Sequence, residues 1–240
     1  MRQPLIPKLE RRDHTLSAAE KDVLERMSSR LATFGPGEDM VCEGDRPTNS
    51  TLLLEGWASR YVTLADGRRQ ILALHISGDF VDLHSFPLKL MDHSVGAITA
   101  CKVALVPHAV LEEITQSQPH LTRLLWLSTL IDAAILRQWL VGAGQRSAEE
   151  NLAHRFCELY SRLQVTGLAQ EGRFELPLTQ EELGDTVGIS AVHTNRVLQQ
   201  LKGRGLVTWR NRIVTIENWN GLAELAGFDP TYLNLTDEPR

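Results

Sequence analysis

The chain of 240 residues has few cysteines and no long uninterrupted apolar run. Its three cysteines, Cys42, Cys101 and Cys157, form no CxxC pair, so neither a disulfide framework nor a zinc or iron–sulfur site is predicted. The longest apolar stretch, 121–141, is interrupted by charged and polar residues and does not read as a membrane span. No apolar run of signal-peptide length follows the basic N-terminus. These absences predict a cytoplasmic protein.

An overall excess of positive charge is also missing. The chain carries 25 Lys and Arg against 30 Asp and Glu, which argues against a protein that coats nucleic acid or membrane with its whole surface. Residues 186–216 nevertheless contain five basic residues and no acidic one. The five are Arg196, Lys202, Arg204, Arg210 and Arg212. A basic strip on an acidic protein is the footprint expected of a surface that faces phosphates.

The first part of the sequence predicts an antiparallel β domain. A capping box at Ser17 opens a short helix over 16–30. Glycines from Gly37 to Gly78 then recur mostly 11 or 12 residues apart, with short apolar runs between them. That rhythm is typical of a sandwich or barrel, and Asp66-Gly67 marks its clearest hairpin turn.

A long amphipathic helix follows, because apolar residues from Leu121 to Trp139 recur at threes and fours. A helix this apolar needs cover on more than one face. We expect one face to pack on the β domain and another to pair with the same helix of a second chain; burial within one subunit is the alternative. The expected dimer contacts are Leu124, Ser128, Ile131 and Ile135. Gly142-Ala-Gly144 is predicted to end the helix.

The stretch 178–216 predicts two short helices joined by a tight turn. Thr179 opens a capping box, and Ser190 caps the second helix after a turn at Gly188. Gly184 lies inside the first helix, where glycine costs about 1 kcal/mol relative to alanine. Its presence predicts close approach of the second helix.

Two β runs, Leu206–Trp209 and Ile213–Ile216, complete this region and are joined by a basic tip. Together with the helices they predict a winged helix-turn-helix. We expect Arg196 to read guanine and the wing arginines to hold phosphates. The predicted DNA-contacting residues are Thr179, Ser190, Val192, His193, Asn195, Arg196, Arg210 and Arg212.

Several motifs are shared with a known family: Glu43-Gly-Asp45, Asp66-Gly-Arg68, Ser77-Gly-Asp79 and the segment 178–201. With them, the chain resembles the Crp/Fnr family of bacterial transcription regulators. The resemblance implies an α+β fold in three parts. These are a jelly-roll-like antiparallel β-roll sensor (1–116), a central dimerisation helix (117–143) and a C-terminal winged helix-turn-helix (144–240). It also implies a homodimer on palindromic promoter DNA, with RNA polymerase as a further partner.

The effector pocket is where the sequence departs from that family. Members that bind cyclic nucleotides carry a Gly-Glu start and an Arg-Ser pair, where this chain has Gly78-Asp79 and His93-Ser94. A mostly neutral imidazole cannot replace a guanidinium on phosphate, so cyclic AMP is not expected. The N-terminal cysteine cluster of the oxygen-sensing branch is missing, so an iron–sulfur cluster is not expected either. The predicted pocket residues are Gly78, Asp79, Phe80, His93 and Ser94.

Four histidines, His75, His84, His93 and His108, fall in the predicted β domain. Haem or metal binding needs only one or two imidazoles, so haem stays an alternative. Their spacing matches no metal motif, which favours scattered structural histidines, and no metal site is predicted.

The sequence therefore favours a dimeric, sequence-specific transcription factor with a sensory β-roll. The alternative is a small-ligand-binding module, for a cyclic nucleotide or haem, that acts through protein contacts. No catalytic triad order, metal-ligand spacing or phosphate-cradling loop indicates an enzyme. No role is predicted for the tail after Glu217.

Overall fold

The computed structural model describes residues 3–240. Two helices, α1 (Leu5–Glu10) and α2 (Ala18–Met27), precede the β domain and bury their apolar side chains in one cluster against it. The predicted capping box is confirmed, because Ser17 and Glu20 satisfy each other's backbone N–H groups at the start of α2. Sequence analysis missed α1, since six residues are too short to show helical periodicity.

The β domain consists of two antiparallel sheets packed face to face, as predicted. Its elements are β1 (Leu31–Phe34), β2 (Asp39–Val41), β3 (Asn49–Glu55), β4 (Ala58–Thr63), β5 (Arg69–His75), α3 (Ser85–Leu88), β6 (Ser94–Ala97) and β7 (Cys101–Pro107). The three-stranded sheet has the order β1-β7-β3, the four-stranded sheet has the order β2-β6-β4-β5, and the short helix α3 lies between β5 and β6.

Helix α4 (His108–Ser117) leads into the long helix α5 (Pro119–Gln145), and α6 (Ala148–Val165) follows. Helix α5 ends at Gln145, one residue beyond the end predicted at 142–144. A Cβ on Gly142 would collide with the Asn151 side chain of α6. This glycine therefore permits close packing of two helices, and the expected domain boundary at 143 falls inside α5.

The predicted dimer contacts on α5 point into their own subunit, which is a correction. Leu124 is buried in the cluster that holds α1 and α2, while Ile131 and Ile135 are buried with side chains of β5 and α6. Ser128 is half-buried and donates to the carbonyl of Leu124. The predicted helical period is confirmed, but it marks the face of α5 that packs against its own subunit.

A second face of α5 is exposed and largely apolar. We call it the exposed stripe: Trp126, Leu130, Ala133, Arg137, Leu140 and Gly144. By length and composition alone α5 would also be apolar enough to cross a membrane. The helix is this apolar because it has two apolar faces, one of which is packed inside the subunit. Its composition therefore needs no membrane to explain it.

The C-terminal part contains the predicted helical pair and wing. Its elements are β8 (Ala169–Gln170), β9 (Arg173–Glu175), α7 (Gln180–Asp185), α8 (Ala191–Gly203), β10 (Val207–Arg210), β11 (Ile213–Ile216), α9 (Trp219–Ala226) and a 3-10 turn (Pro230–Leu233). The sheet of this part has the order β10-β11-β9-β8 and lies beside α6.

The tail after α9 returns to the start of the chain. Asp237 pairs with His14 at 2.9 Å, and the backbone N–H of Arg240 donates to Asp13 at 2.6 Å. Arg123 of α5 donates to the carbonyl of Arg240 at 2.9 Å. The two ends of the chain are thus fastened to each other and to the central helix.

Candidate nucleic-acid interface and effector cavity

The pair α7 and α8 is held by reciprocal capping and by one glycine. Thr179 accepts from the N–H of Glu182 at 3.1 Å, and the Glu182 carboxylate accepts from the N–H of Thr179 at 2.7 Å. A Cβ on Gly184 would lie 2.7 Å from Oγ1 of Thr194 and still closer to the carbonyl oxygen of Ile189. The predicted close approach of the two helices at this glycine is confirmed.

Helix α8 separates a buried side from an exposed one. Ser190 caps it by accepting from the N–H of His193 at 3.3 Å. Val197 and Leu201 are buried against the rest of the domain, whereas Val192 is 83% exposed. Arg196 is exposed as well. A helix held on one side and free on the other has the form of a recognition helix.

The other predicted contacts on these helices have local partners. Asn195 is exposed and donates to Oε1 of Gln180 at 3.2 Å. His193 is half-buried and lines a groove between α8 and the start of α6, together with Arg196 and Ser147. Thr179 and Ser190 are exposed and line the cleft that separates the helical pair from the β domain.

The wing is a tight hairpin with a basic tip. Asn211 and Arg212 both adopt left-handed backbone conformations, with φ of +50° and +64°, as a two-residue hairpin turn requires. Arg210 and Arg212 are exposed. Across residues 3–240 neither they nor Arg196 form a side-chain ion pair, whereas Arg204 pairs with Glu149 at 3.2 Å. The basic charge at the wing and on α8 is therefore free to meet phosphates.

A small cavity of about 70 Å³ lies between the β domain, α5 and α6. Of the predicted pocket residues, Gly78, Asp79 and Phe80 line it. His93 and Ser94 do not, which is a correction: the His93 ring packs against His84, and the Ser94 hydroxyl accepts from the N–H of Glu43. Further lining residues, which the sequence did not predict, come from the N-terminal segment and from α5 and α6: Lys8, Arg12, Ser128, Asp132 and Arg162.

Asp79 is already saturated by this chain's own groups. Its carboxylate accepts from Nζ of Lys8 at 2.6 Å, from Arg162 at 3.0 Å and from the N–H of Ile76 at 2.9 Å. Burial alone would raise the pKa of Asp79, but Lys8 and Arg162 outweigh it and hold the pKa well below its usual range. A ribose hydroxyl would have to displace these cations, so the expected ligand role of Asp79 does not fit this conformation.

A second ion pair joins the β domain to α5 beside the cavity. The Arg60 guanidinium donates to Asp132 at 2.7 Å and to the carbonyl of Val81 at 3.0 Å. His75 nearby is buried, and burial lowers its pKa to about 3, so it is neutral at physiological pH. Together with the Asp79 pairs, this bridge ties the β domain to α1, α5 and α6.

Three side chains at the edge of the cavity form a group with the chemistry of metal ligands: His84, which lines the cavity, Asp92 and His93. One donor atom from each lies within 4.8 Å of the others. Their spacing in the sequence gave no metal signal, because the fold of the segment after α3 brings them together.

A β-roll, a long connecting helix and a winged helix-turn-helix with an exposed recognition helix define a DNA-binding transcription regulator. The family model of the cyclic nucleotide-binding domain matches residues 31–118, and that of the Crp-like helix-turn-helix domain matches residues 150–225. The chain belongs to the Crp/Fnr family.

Individual relatives agree over most of the chain. The transcriptional activator protein FnrL of Cereibacter sphaeroides is 27% identical over 201 residues, covering 82% of this chain and 80% of the relative. The nitrogen fixation regulation protein FixK of Bradyrhizobium diazoefficiens is 28% identical and covers 80% of each chain. The solved structure of FixK2 from Bradyrhizobium japonicum aligns with a TM-score of 0.75 at 26% identity, over 83% of this chain and 98% of that one.

Proposed function

We propose that this regulator binds a palindromic promoter site as a homodimer and reads each half-site with α8. The observation that supports this most strongly is the exposed side of α8, where Arg196 has no ion-pair partner among the described residues and is flanked by a basic wing. A two-fold dimer presents two such helices to one face of the duplex, about one helical turn apart.

The exposed stripe supplies the dimer contact. Its members follow one another at intervals of four, three, four, three and four residues, which is the heptad repeat of a coiled-coil seam. The stripe replaces the dimer seam expected from sequence. Pairing of two such stripes shields this apolar face of α5 from water. Arg137 sits in the middle of this repeat, where a charged residue restricts the pairing register at some cost in stability.

Within the interface the residues divide by role. Arg196 donates two hydrogen bonds to a guanine edge, and Val192 contacts a thymine methyl group. Arg210 and Arg212 bind phosphates from the wing, and the exposed caps at Thr179 and Ser190 support the orientation of the helices. His193 and Asn195 flank Arg196 and reach a base edge or the backbone.

The regulator acts in the cytoplasm and is not an enzyme, and RNA polymerase is the further partner that family membership suggests. Cyclic AMP, haem and an iron–sulfur cluster are not its cofactors. A cavity of about 70 Å³ is far below the roughly 300–1,000 Å³ of ordinary small-ligand pockets, which argues against a nucleotide or a porphyrin in this conformation.

Selection of binding sites from random DNA tests the proposal. We expect the wild-type chain to enrich a palindrome, and Arg196→Ala to cost about 1–3 kcal/mol and to relax one guanine per half-site. Arg212→Ala should weaken all sequences alike and reduce the salt dependence. Arg26→Ala, an exposed arginine on α2, is the matched control and should change nothing. A chain that works through protein contacts would enrich no sequence at all.

A further inference from the structure

The half-buried ring of His84, at the start of α3, lies against the buried ring of His93, just before β6, and each has one nitrogen without a partner among residues 3–240. The ring centroids of His84 and His93 are 4.9 Å apart. Nε2 of each ring is buried and forms no hydrogen bond within the described part of the chain. His93 is only 6% exposed, so this nitrogen is shielded from bulk solvent. A buried polar atom without a partner destabilises the fold, and two such atoms side by side indicate a shared ligand.

Asp92 fixes the state of one of these rings. Its Oδ1 lies 2.6 Å from Nδ1 of His93, so the ring donates its N–H there and leaves Nε2 with a free lone pair. A carboxylate that holds a histidine in this way is the usual outer partner of a metal-bound imidazole. The Asp92 side chain is itself 79% exposed, which gives an ion and its water ligands a path from solvent.

We propose that His84, His93 and Asp92 form a binding site for one divalent first-row transition-metal ion. The two imidazoles ligate the ion through Nε2, Asp92 orients His93 and contributes negative charge, and water completes the coordination. Imidazole donors select zinc, iron, cobalt or nickel over magnesium and calcium, which prefer oxygen.

The geometry is close to what such an ion needs. Nitrogen donors at about 2.1 Å from a tetrahedral ion lie about 3.4 Å from each other. One donor atom from each of the three side chains already lies within 4.8 Å of the others, and the two ring centroids are 4.9 Å apart, so side-chain rotations bring both Nε2 atoms onto one ion. The nearby cation Arg60 is paired with Asp132, which offsets its repulsion of the ion.

Calorimetric titration of the chelator-treated full chain with zinc tests the site. The experiment uses a Cys42→Ser background, because Cys42 is the exposed cysteine and thiolates bind zinc. We expect one ion per chain, with affinity reduced at least about tenfold by His84→Gln or His93→Gln and about tenfold or more by Asp92→Asn. His14→Gln removes an exposed histidine elsewhere and is the matched control.

Cobalt gives a second readout. Its visible absorption should show nitrogen ligation in the parent chain and lose that signature in His93→Gln. Asp92→Asn changes an exposed side chain, so it keeps the test valid if a buried histidine variant fails to fold. Absence of binding by the parent, or equal affinity in the Asp92 variant and the His14 control, would overturn the proposal.

Discussion

The exposed stripe on α5 makes a quantitative prediction about assembly. Leu130 is 50% exposed and Leu140 is 72% exposed. Full burial of a leucine side chain is worth about 1.5–3 kcal/mol, so burying these exposed fractions contributes about 2–4 kcal/mol per chain and about 4–7 kcal/mol per dimer. Replacing both by glutamate removes that term and places like charges across the seam. The dimer dissociation constant should rise by about three to five orders of magnitude.

Sedimentation velocity at micromolar concentration measures this change. The double variant Leu130→Glu/Leu140→Glu should be a folded monomer, and the control Leu168→Glu should stay dimeric because Leu168 is 51% exposed but lies outside the stripe. Ile131→Glu should instead unfold the chain, since that side chain is buried in its own subunit. A double variant that sediments as a dimer would refute the assignment of the seam.

Three further predictions concern the helical pair, the N-terminal segment and the cavity. Gly184→Ala forces a Cβ into the turn between α7 and α8, so thermal melts should show a free energy of unfolding that is lower by about 1–3 kcal/mol. An unchanged melting curve would contradict the close packing of the two helices. Burial alone would lower the pKa of His120, but its hydrogen bonds to Asp13 and Glu20 raise it above 6.5. The stabilisation that His120 provides is therefore complete below about pH 6.5 and is lost as pH rises through its folded-state pKa. Thermal melts across that range should show a smaller fall of the melting temperature in His120→Gln than in the wild-type chain. An equal fall in both would argue against the hydrogen bonds of His120 to Asp13 and Glu20. Cyclic AMP at millimolar concentration should leave the melting temperature unchanged, because Asp79 already binds two cations; a clear rise would contradict this.

The winged helix-turn-helix was predictable because its signals are local. Capping boxes, a turn glycine and alternating apolar residues act within a few positions of each other, and Gly184 even indicated the contact between the helices. The antiparallel β domain was predictable for the same reason, since turn residues at regular spacing mark its strands.

The effector region and the dimer face depend on distant partners, which one sequence does not encode locally. Asp79 meets Lys8 across 71 residues and Arg162 across 83. Helical periodicity on α5 reveals an apolar face but does not show what covers that face. The sequence therefore predicts the dimer seam on the face that packs inside the subunit. Likewise, the pairing of His84 with His93 arises from the fold between α3 and β6 and leaves no motif.

The central claim is that two copies of α8 read one DNA site. Hydroxyl-radical footprinting of the wild-type chain on its selected duplex tests it most directly. We expect two protected patches about 10 base pairs apart on one face of the DNA duplex. Both patches should be lost together in the Leu130→Glu/Leu140→Glu monomer. A single protected patch, or an unchanged footprint from the monomer, would contradict the account.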